Sequence, residues 1–174
     1  MSNERPWLEQ YPAGVSGQID VSQYASVPAV LEEAFAAFSD RPAFASFGRQ
    51  LSYGQIDAMS RQFAGYLTGV LKLGKGDRIA IMMPNVLQYP IALFGALRAG
   101  LIVVNTNPMY TARELKHQLV DSGAKAILVL DNFAHTLQQV VAETGVRHVI
   151  TTGIGDLLGF PKGALINFVL KHVK

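Results

Sequence analysis

Residues 76–126, GDRIAIMMPNVLQYPIALFGALRAGLIVVNTNPMYTARELKHQLVDSGAKA, decide the fold class. An apolar strand over 78–83 breaks at Pro84, and the apolar helix that follows stops at Gly100. A second apolar strand over 101–104 leads through a polar loop into another helix. Strand, helix, strand and helix in this order form the repeat unit of a parallel sheet, because parallel strands need a crossover between them. We therefore predict an α/β fold with a mostly parallel sheet.

The strands of this region lack the alternation of a half-exposed sheet. The runs IAIMM, LIVV and AILVL, the last within 125–130, are apolar at successive positions. Such runs are typical of strands with both faces buried. We therefore expect helices on both faces of the sheet.

The polar loop over 105–110 follows the second strand. In open parallel sheets, ligands bind where loops leave the carboxyl ends of strands. This position favours a ligand loop. The alternative is a connector in which the asparagine side chains cap their own backbone.

The segment over 1–75 is predicted to form a helix, a hairpin and a second helix. The elements are helix 28–38, strands 43–47 and 50–52, and helix 53–71. The pair Gly48-Arg49 fits a two-residue hairpin loop with glycine first. Ser52 and Gln55 have the spacing of a helix capping box.

The remaining chain continues the alternation of helix and strand as far as residue 151 and then becomes a loop and a basic helix. The predicted elements are helix 112–121, strand 125–130, helix 133–143 and strand 147–151. Thr111 and Glu114 form a second capping box. We assign 76–151 to a parallel α/β unit and 152–174 to a loop and a basic amphipathic helix. The apolar face of that helix and the basic residues that frame it are Leu165, Ile166, Val169, Leu170 and Val173, with Lys162, Lys171, His172 and Lys174.

Composition restricts the function classes. Apolar residues make up 49% of the 174 residues before 16 glycines are counted, and charged residues only 16%, against about 25% in an average domain. We expect such a chain to dock against something or to belong to a larger protein, since it stops in mid-helix at Lys174. The net charge of +2 and the lack of a basic aromatic stripe argue against nucleic acid. Cysteine is absent, which excludes disulfides and thiolate metal sites.

Neither a signal peptide nor an apolar run of membrane-spanning length is visible, so we expect a cytoplasmic protein. The tail over 161–174 leaves two interpretations open. It is either a membrane-surface helix, giving peripheral contact with the inner membrane, or a helix that packs on further parts of a larger protein. We also expect apolar faces to pair between copies and form a homo-oligomer.

Other motifs were weighed as sites. Residues 153–159 have a G-x-G-x-x-x-G form after a strand, which a nucleotide-binding module would use if a helix presented free amides there. The alternative is an ordinary loop, because Pro161 interrupts that helix. The four histidines lack HxH or HExxH spacing, so no metal site is predicted. Arg113, Lys116 and His117 form either a solvated helix face or a cationic patch for an anionic ligand.

Seven short pieces, in order, resemble the amino-terminal part of AMP-forming acyl-CoA synthetases, an adenylate-forming superfamily. They are LSYGQI (51–56), GDRIAI (76–81), MPN (83–85), ALRAG (96–100), VNTNP (104–108), YTAREL (110–115) and DSGA (121–124). The opening residues, the NTNP loop and the tail are most similar to bacterial long-chain fatty-acid–CoA ligases.

The resemblance implies chemistry that needs more than this chain. A long-chain fatty acid would react with ATP and Mg²⁺ to form acyl-AMP, and CoA would then displace AMP. The resemblance puts the phosphate loop and the catalytic lysine beyond Lys174, so the chain would hold no catalytic residue and be inactive alone. It would be one portion of a larger AMP-binding domain. The resemblance also puts Arg113, Lys116 and His117 on the side where CoA approaches.

Overall fold

The computed structural model describes residues 5–172, in which a helical and hairpin segment precedes an α/β unit. The helices are α1 (Val27–Ala37), α2 (Tyr53–Gly69), α3 (Gln88–Arg98), α4 (Ala112–Ser122), α5 (Ala134–Gln138) and α6 (Lys162–His172). The strands are β1 (Pro42–Ser46), β2 (Arg49–Ser52), β3 (Arg78–Met82), β4 (Ile102–Asn105), β5 (Ala126–Leu130) and β6 (His148–Thr152). Val173 and Lys174, which the sequence assigned to the last helix, lie outside the described residues.

Four strands form the parallel sheet that the sequence predicted, in the order β4-β3-β5-β6. Alternate residues of β3 and β5 point to opposite faces. Ala80, Met82, Ile127 and Val129 pack with α4 and α5, through residues that include Leu115 and Leu137. The residues between them pack with α2 and α3. Helices on both faces of the sheet are therefore confirmed.

The expectation that every strand is buried on both faces is wrong for β4. Ile102 is 47% exposed, whereas β5 is buried along its whole length. β4 lies at the edge of the described sheet, so it has a neighbour on one side only. An apolar run does not distinguish a central strand from an edge strand.

The hairpin between β1 and β2 turns one residue earlier than predicted. Ser46 pairs with Arg49, so Phe47 and Gly48 form the loop instead of Gly48 and Arg49. Both loop residues have positive φ, 49° for Phe47 and 73° for Gly48. Two positive φ values match the twist of a two-residue hairpin, although phenylalanine rarely adopts one.

The predicted single helix over 133–143 is wrong. The structure has the short α5, with 3₁₀ turns at Asp131–Phe133 and Val141–Glu143 on either side. The backbone leaves helical geometry at Val140, where φ is −130°. Val140 and Val141 are adjacent β-branched residues, which lose side-chain freedom in a helix.

Both predicted capping boxes are present. The Ser52 hydroxyl accepts from the Gln55 amide at 3.2 Å, and the Gln55 side chain accepts from the Ser52 amide at 2.9 Å. Thr111 and Glu114 repeat the arrangement at the start of α4. These two caps fix where α2 and α4 begin.

The sequence predicted that the apolar residues of α6 share one face, but in the structure they do not. Ile166 packs on the buried cluster of Phe35, Leu51 and Leu158. Leu165 and Phe168 are 63% and 61% exposed on the other side. Apolar residues surround most of this helix, so one side is covered and one is bare. Within residues 5–172, no helix is long and apolar enough to cross a membrane.

Candidate binding clefts at the carboxyl ends of the strands

The strand order creates a topological switch point. From β3 the chain moves to β4 on one side of the sheet and then to β5 on the other side of β3. In open α/β sheets, ligands bind outside the carboxyl ends of strands at such a point. Two concave regions border this edge. We call them the α4 groove and the α6 cleft.

The loop over 105–110 is held to the helices on both faces. The Tyr89 hydroxyl donates to the Asn105 side-chain oxygen at 2.9 Å, and the Gln118 amide donates to the Asn105 carbonyl at 3.1 Å. The Met109 amide donates to the Asn107 side chain at 3.0 Å. Asn107 therefore caps its own backbone, as in the connector interpretation, whereas Asn105 links α3 to α4.

The α4 groove has a volume of about 780 Å³. Its lining residues are Tyr110, Thr111, Arg113, Glu114, His117, Gln118 and Asp121. The Thr111 backbone amide and hydroxyl hold the pKa of Glu114 below its ordinary value. The Gln118 side-chain oxygen is buried without a hydrogen-bond partner among the described residues.

The structure brings together two of the three residues predicted to lie on the CoA side. Arg113 and His117 both line the α4 groove, because residues four apart lie one above the other on a helix. Lys116 forms an ion pair with Glu143 instead. A cationic patch here would therefore consist of Arg113 and His117.

The α6 cleft has a volume of about 440 Å³ and lies where β5 and β6 end. Its lining residues are Asp131, Asn132, His135, Gly153, Ile154, Asn167, Leu170 and Lys171. Sequence reasoning missed this cleft because three separate segments contribute to it. One signal was available: the polar pair Asp131-Asn132 directly follows the apolar strand β5.

The glycine motif over 153–159 supports the floor of the α6 cleft. The Gly153 amide donates to the Asp156 carboxylate at 2.8 Å, and the Gly155 amide donates to the Asn167 side-chain oxygen at 2.7 Å. The buried Gln88 side chain donates to the Gly153 carbonyl at 2.7 Å. These amides are occupied and lead into a 3₁₀ turn, so the structure favours the loop interpretation over a dinucleotide-binding turn.

Metal-ligating side chains are dispersed over the part of the chain that the structure describes. No three histidine, aspartate or glutamate side chains there come close enough together to hold a metal ion. The described residues therefore offer no cluster that fits Mg²⁺.

Comparisons with known proteins agree on one family. Residues 31–173 match the model of the AMP-binding enzyme family. The chain is 55% identical to a long-chain-fatty-acid–CoA ligase of Yersinia pestis and 53% identical to that of Escherichia coli O157:H7. Each alignment covers 98% of this chain but 30% of the relative, so the chain spans under a third of their length.

A solved structure supports the fold. The crystal structure of a long-chain-fatty-acid-CoA ligase from Archaeoglobus fulgidus has a TM-score of 0.68 to this chain at 22% identity. The alignment covers 82% of this chain and 29% of that one. At this identity the likeness concerns the fold alone.

Proposed function

The chain belongs to the AMP-binding enzyme family, and we propose that it is the amino-terminal portion of an AMP-forming long-chain fatty-acid–CoA ligase. The observation that carries the proposal is identity of 55% and 53% to two bacterial long-chain-fatty-acid–CoA ligases across 98% of the chain. Similarity this high along nearly the whole chain supports a role of this segment in the same kind of enzyme.

The complete enzyme would join a long-chain fatty acid to CoA at the expense of ATP. ATP with Mg²⁺ would activate the carboxylate as acyl-AMP with release of pyrophosphate, and CoA would take the acyl group and release AMP. The described residues contribute a scaffold: a four-stranded sheet, two loop-bounded clefts and buried clusters on both faces. We assign no catalytic residue to this scaffold.

Exchange of segments tests the proposal. The part of the Escherichia coli O157:H7 relative that aligns with this chain is replaced by this chain, giving a protein that we call the chimera. Palmitoyl-CoA formation is measured for the chimera, for the parent and for the 174-residue chain alone. We expect activity from the chimera and none from the chain alone. An inactive chimera that is folded and binds ATP would contradict the proposal.

We propose that Arg113 and His117 contact the phosphates of CoA in the complete enzyme, with Lys116 contributing less. The support is that the first two line one groove, whereas Lys116 is paired with Glu143. In the chimera, Arg113→Ala with His117→Ala should raise the KM for CoA by at least about tenfold, because even one hydrogen bond to a charged group contributes about 1.5 kcal/mol or more. Lys116→Ala should change it less. Arg49→Ala removes an exposed cation on β2 and is the control. Equal KM values for CoA in the double variant and in this control would contradict the assignment.

We also propose that the bare side of α6 meets an anionic membrane surface, which would make the cytoplasmic enzyme peripheral to the inner membrane. Leu165 and Phe168 are exposed there, and α6 carries Lys162 and Lys171 but no acidic residue. Leu165→Glu with Phe168→Glu should reduce co-sedimentation with phosphatidylglycerol vesicles. Val120→Glu changes an exposed valine on α4 and should not. Equal sedimentation of both variants would contradict the proposal.

Self-association is a separate proposal. β4 and β6 are the outer strands of the described sheet, and each exposes an apolar side chain, Ile102 and Val149. Unpaired edges of this kind pair with other chains. The 174-residue chain should therefore form dimers or larger species in light scattering. A monomer at high concentration would contradict this proposal.

A further inference from the structure

Three cations lie side by side where three neighbouring strands of the sheet begin. The Lys125 amide donates to the Arg78 carbonyl at 2.9 Å, and the Arg147 amide donates to the Lys125 carbonyl at 2.8 Å. The registers of β3 with β5 and of β5 with β6 put the three residues at one level of the sheet. Neighbouring strands lie about 4.8 Å apart, so the three Cα atoms follow one another at about that interval. We call Arg78, Lys125 and Arg147 the basic row.

The basic row belongs to the edge of the sheet opposite the two clefts, and its side chains share one face. Alternate residues of a strand point to the same face. Arg78 is two residues before Ala80 and Lys125 is two residues before Ile127, and both of these apolar residues pack with α4 and α5. Arg147 stands level with Lys125 and so points the same way. Both arginines are exposed, and Lys125 is half-buried.

One carboxylate compensates part of the charge of the basic row. The Asp77 carboxylate accepts from the Lys125 ammonium group at 2.6 Å and from the Gly74 amide at 2.9 Å. These hydrogen bonds, together with the charges of Lys125 and Arg147, hold the pKa of Asp77 below its ordinary value. Within residues 5–172, neither arginine of the row forms an ion pair with an acidic side chain. The row therefore presents two guanidinium groups without an ion-pair partner.

The spacing of the basic row matches the spacing of side chains along a helix. Side chains three or four residues apart on a helix lie about 5–6 Å apart, close to the interval between neighbouring strands. An acidic helix laid across the strands can therefore offer one carboxylate to each cation in turn. Arginine suits this role because its guanidinium group pairs with a carboxylate through two parallel hydrogen bonds.

The surroundings of the basic row favour a protein surface over a small anion. The row lines neither the α4 groove nor the α6 cleft, whereas small ligands bind in concave pockets. Ile102, which is exposed, stands level with Arg78 on the next strand. An apolar side chain at the end of a line of charges offers a contact to an amphipathic helix.

We propose that the basic row and Ile102 form the docking surface for an acidic helix of a partner protein, whose carboxylates at positions i, i+4 and i+7 meet the three cations. Like charges on neighbouring strands repel each other in the free chain, and the partner's carboxylates relieve this repulsion. Electrostatic complementarity of this kind fixes the register of a complex and speeds its association. The surface and its test are independent of the ligase activity proposed above.

Fluorescence anisotropy with labelled synthetic helices tests the proposal. The probe is an alanine-based peptide of about 20 residues, long enough to be helical, with glutamates at i, i+4 and i+7 and a leucine one turn before them. The control peptide has the same composition, with its glutamates spread around the helix. We expect the 174-residue chain to bind the probe at least about fivefold more tightly than the control peptide at low salt, where exposed ion pairs are least screened.

Matched variants of the chain locate the binding. Arg78→Gln with Arg147→Gln should weaken binding of the probe by about tenfold, the loss of two exposed ion pairs. Arg5→Gln with Arg49→Gln removes the same charge from exposed positions outside the row and should change the affinity by less than about twofold. Circular dichroism establishes that each variant is folded.

Several results would overturn the proposal. They are absence of probe binding at millimolar concentration, and equal binding of the two peptides, which would indicate only attraction between net charges. Unchanged binding by the Arg78–Arg147 variant, or an equal loss in the Arg5–Arg49 variant, would also overturn it. Phosphatidylglycerol vesicles are a further probe. Vesicle binding that needs Arg78 and Arg147, without binding of the peptide, would assign the row to a membrane surface and overturn the proposal.

Discussion

Gly155 and Gly163 meet backbone against backbone, and neither position has room for a Cβ atom. A Cβ on either residue would overlap the carbonyl oxygen of the other. Both residues are buried, Gly155 in the turn after β6 and Gly163 in the first turn of α6. This contact lets Asn167 reach the Gly155 amide and fixes α6 as one wall of the α6 cleft.

The contact between Gly155 and Gly163 predicts that alanine at position 163 lowers the stability of the chain. Gly163→Ala should destabilise the chain by about 1–3 kcal/mol, because the methyl group forces the two backbones apart. Gly145→Ala is the control, since nothing lies within 4 Å of a Cβ there. Urea unfolding measures the stability, and hydrogen exchange should show loss of protection in α6. Equal stability of the two variants would mean that α6 is not held by this contact.

Two further glycines, Gly95 and Gly65, distinguish the effect of packing from that of helix propensity. At Gly95 on α3, an added Cβ would lie 2.8 Å from the Phe63 ring and 2.9 Å from the Ser60 carbonyl oxygen. Gly95→Ala should therefore destabilise the chain by about 1–3 kcal/mol. At Gly65 on α2 the space is open, so alanine should stabilise by about 0.5–1 kcal/mol. Thermal unfolding of the two variants should move the midpoint in opposite directions, and a shift in the same direction would contradict the packing of α2 on α3.

An ion pair between Arg98 and Asp57 also links α3 to α2. Arg98 has a side chain only 7% exposed, pairs with Asp57 and lies over the Phe35 ring at 5.2 Å. Asp57→Ala would leave a buried guanidinium without its partner. We expect a loss of about 2 kcal/mol, less than for a fully buried pair because Asp57 itself remains partly exposed. Glu33→Gln on the exposed side of α1 is the control in urea unfolding. A loss no larger than that of the control would show that Arg98 finds another partner.

Asp57 also predicts an acid sensitivity. Burial alone would raise its pKa, but hydrogen bonds and charges from Arg61 and Arg98 outweigh burial and hold the pKa below the ordinary 3.8. A carboxyl with a lowered folded pKa stabilises fully above its unfolded pKa, and this stabilisation is lost as pH falls towards the folded pKa. The unchanged chain should therefore lose more stability than Asp57→Asn between about pH 5 and pH 2. Parallel curves of unfolding free energy against pH would contradict this.

The parts of the fold that the sequence could predict depend on local patterns. The runs IAIMM and AILVL become the buried strands β3 and β5, and the hydroxyls of Ser52 and Thr111 begin α2 and α4. The missed features depend on partners distant in sequence or on rare geometry. Ile102 is exposed because of strand order, and Phe47 adopts a positive φ that its residue type disfavours.

The same distinction between local patterns and partners distant in sequence applies to the candidate sites. The sequence could place Arg113 and His117 near each other because both lie on one short helix. It could not place His135 near Lys171, because the sheet and the Gly155–Gly163 contact bring these two residues to one cleft. No spacing rule joins residues that far apart in the chain.

The rate of palmitoyl-CoA formation by the chimera tests the central claim most directly. If this chain is the amino-terminal portion of a long-chain fatty-acid–CoA ligase, the chimera should keep at least about a tenth of the parent's kcat/KM, a loss of ~1.4 kcal/mol. The parent without the exchanged segment is the control and should be inactive. A folded chimera that binds ATP but is no more active than this control would contradict the account.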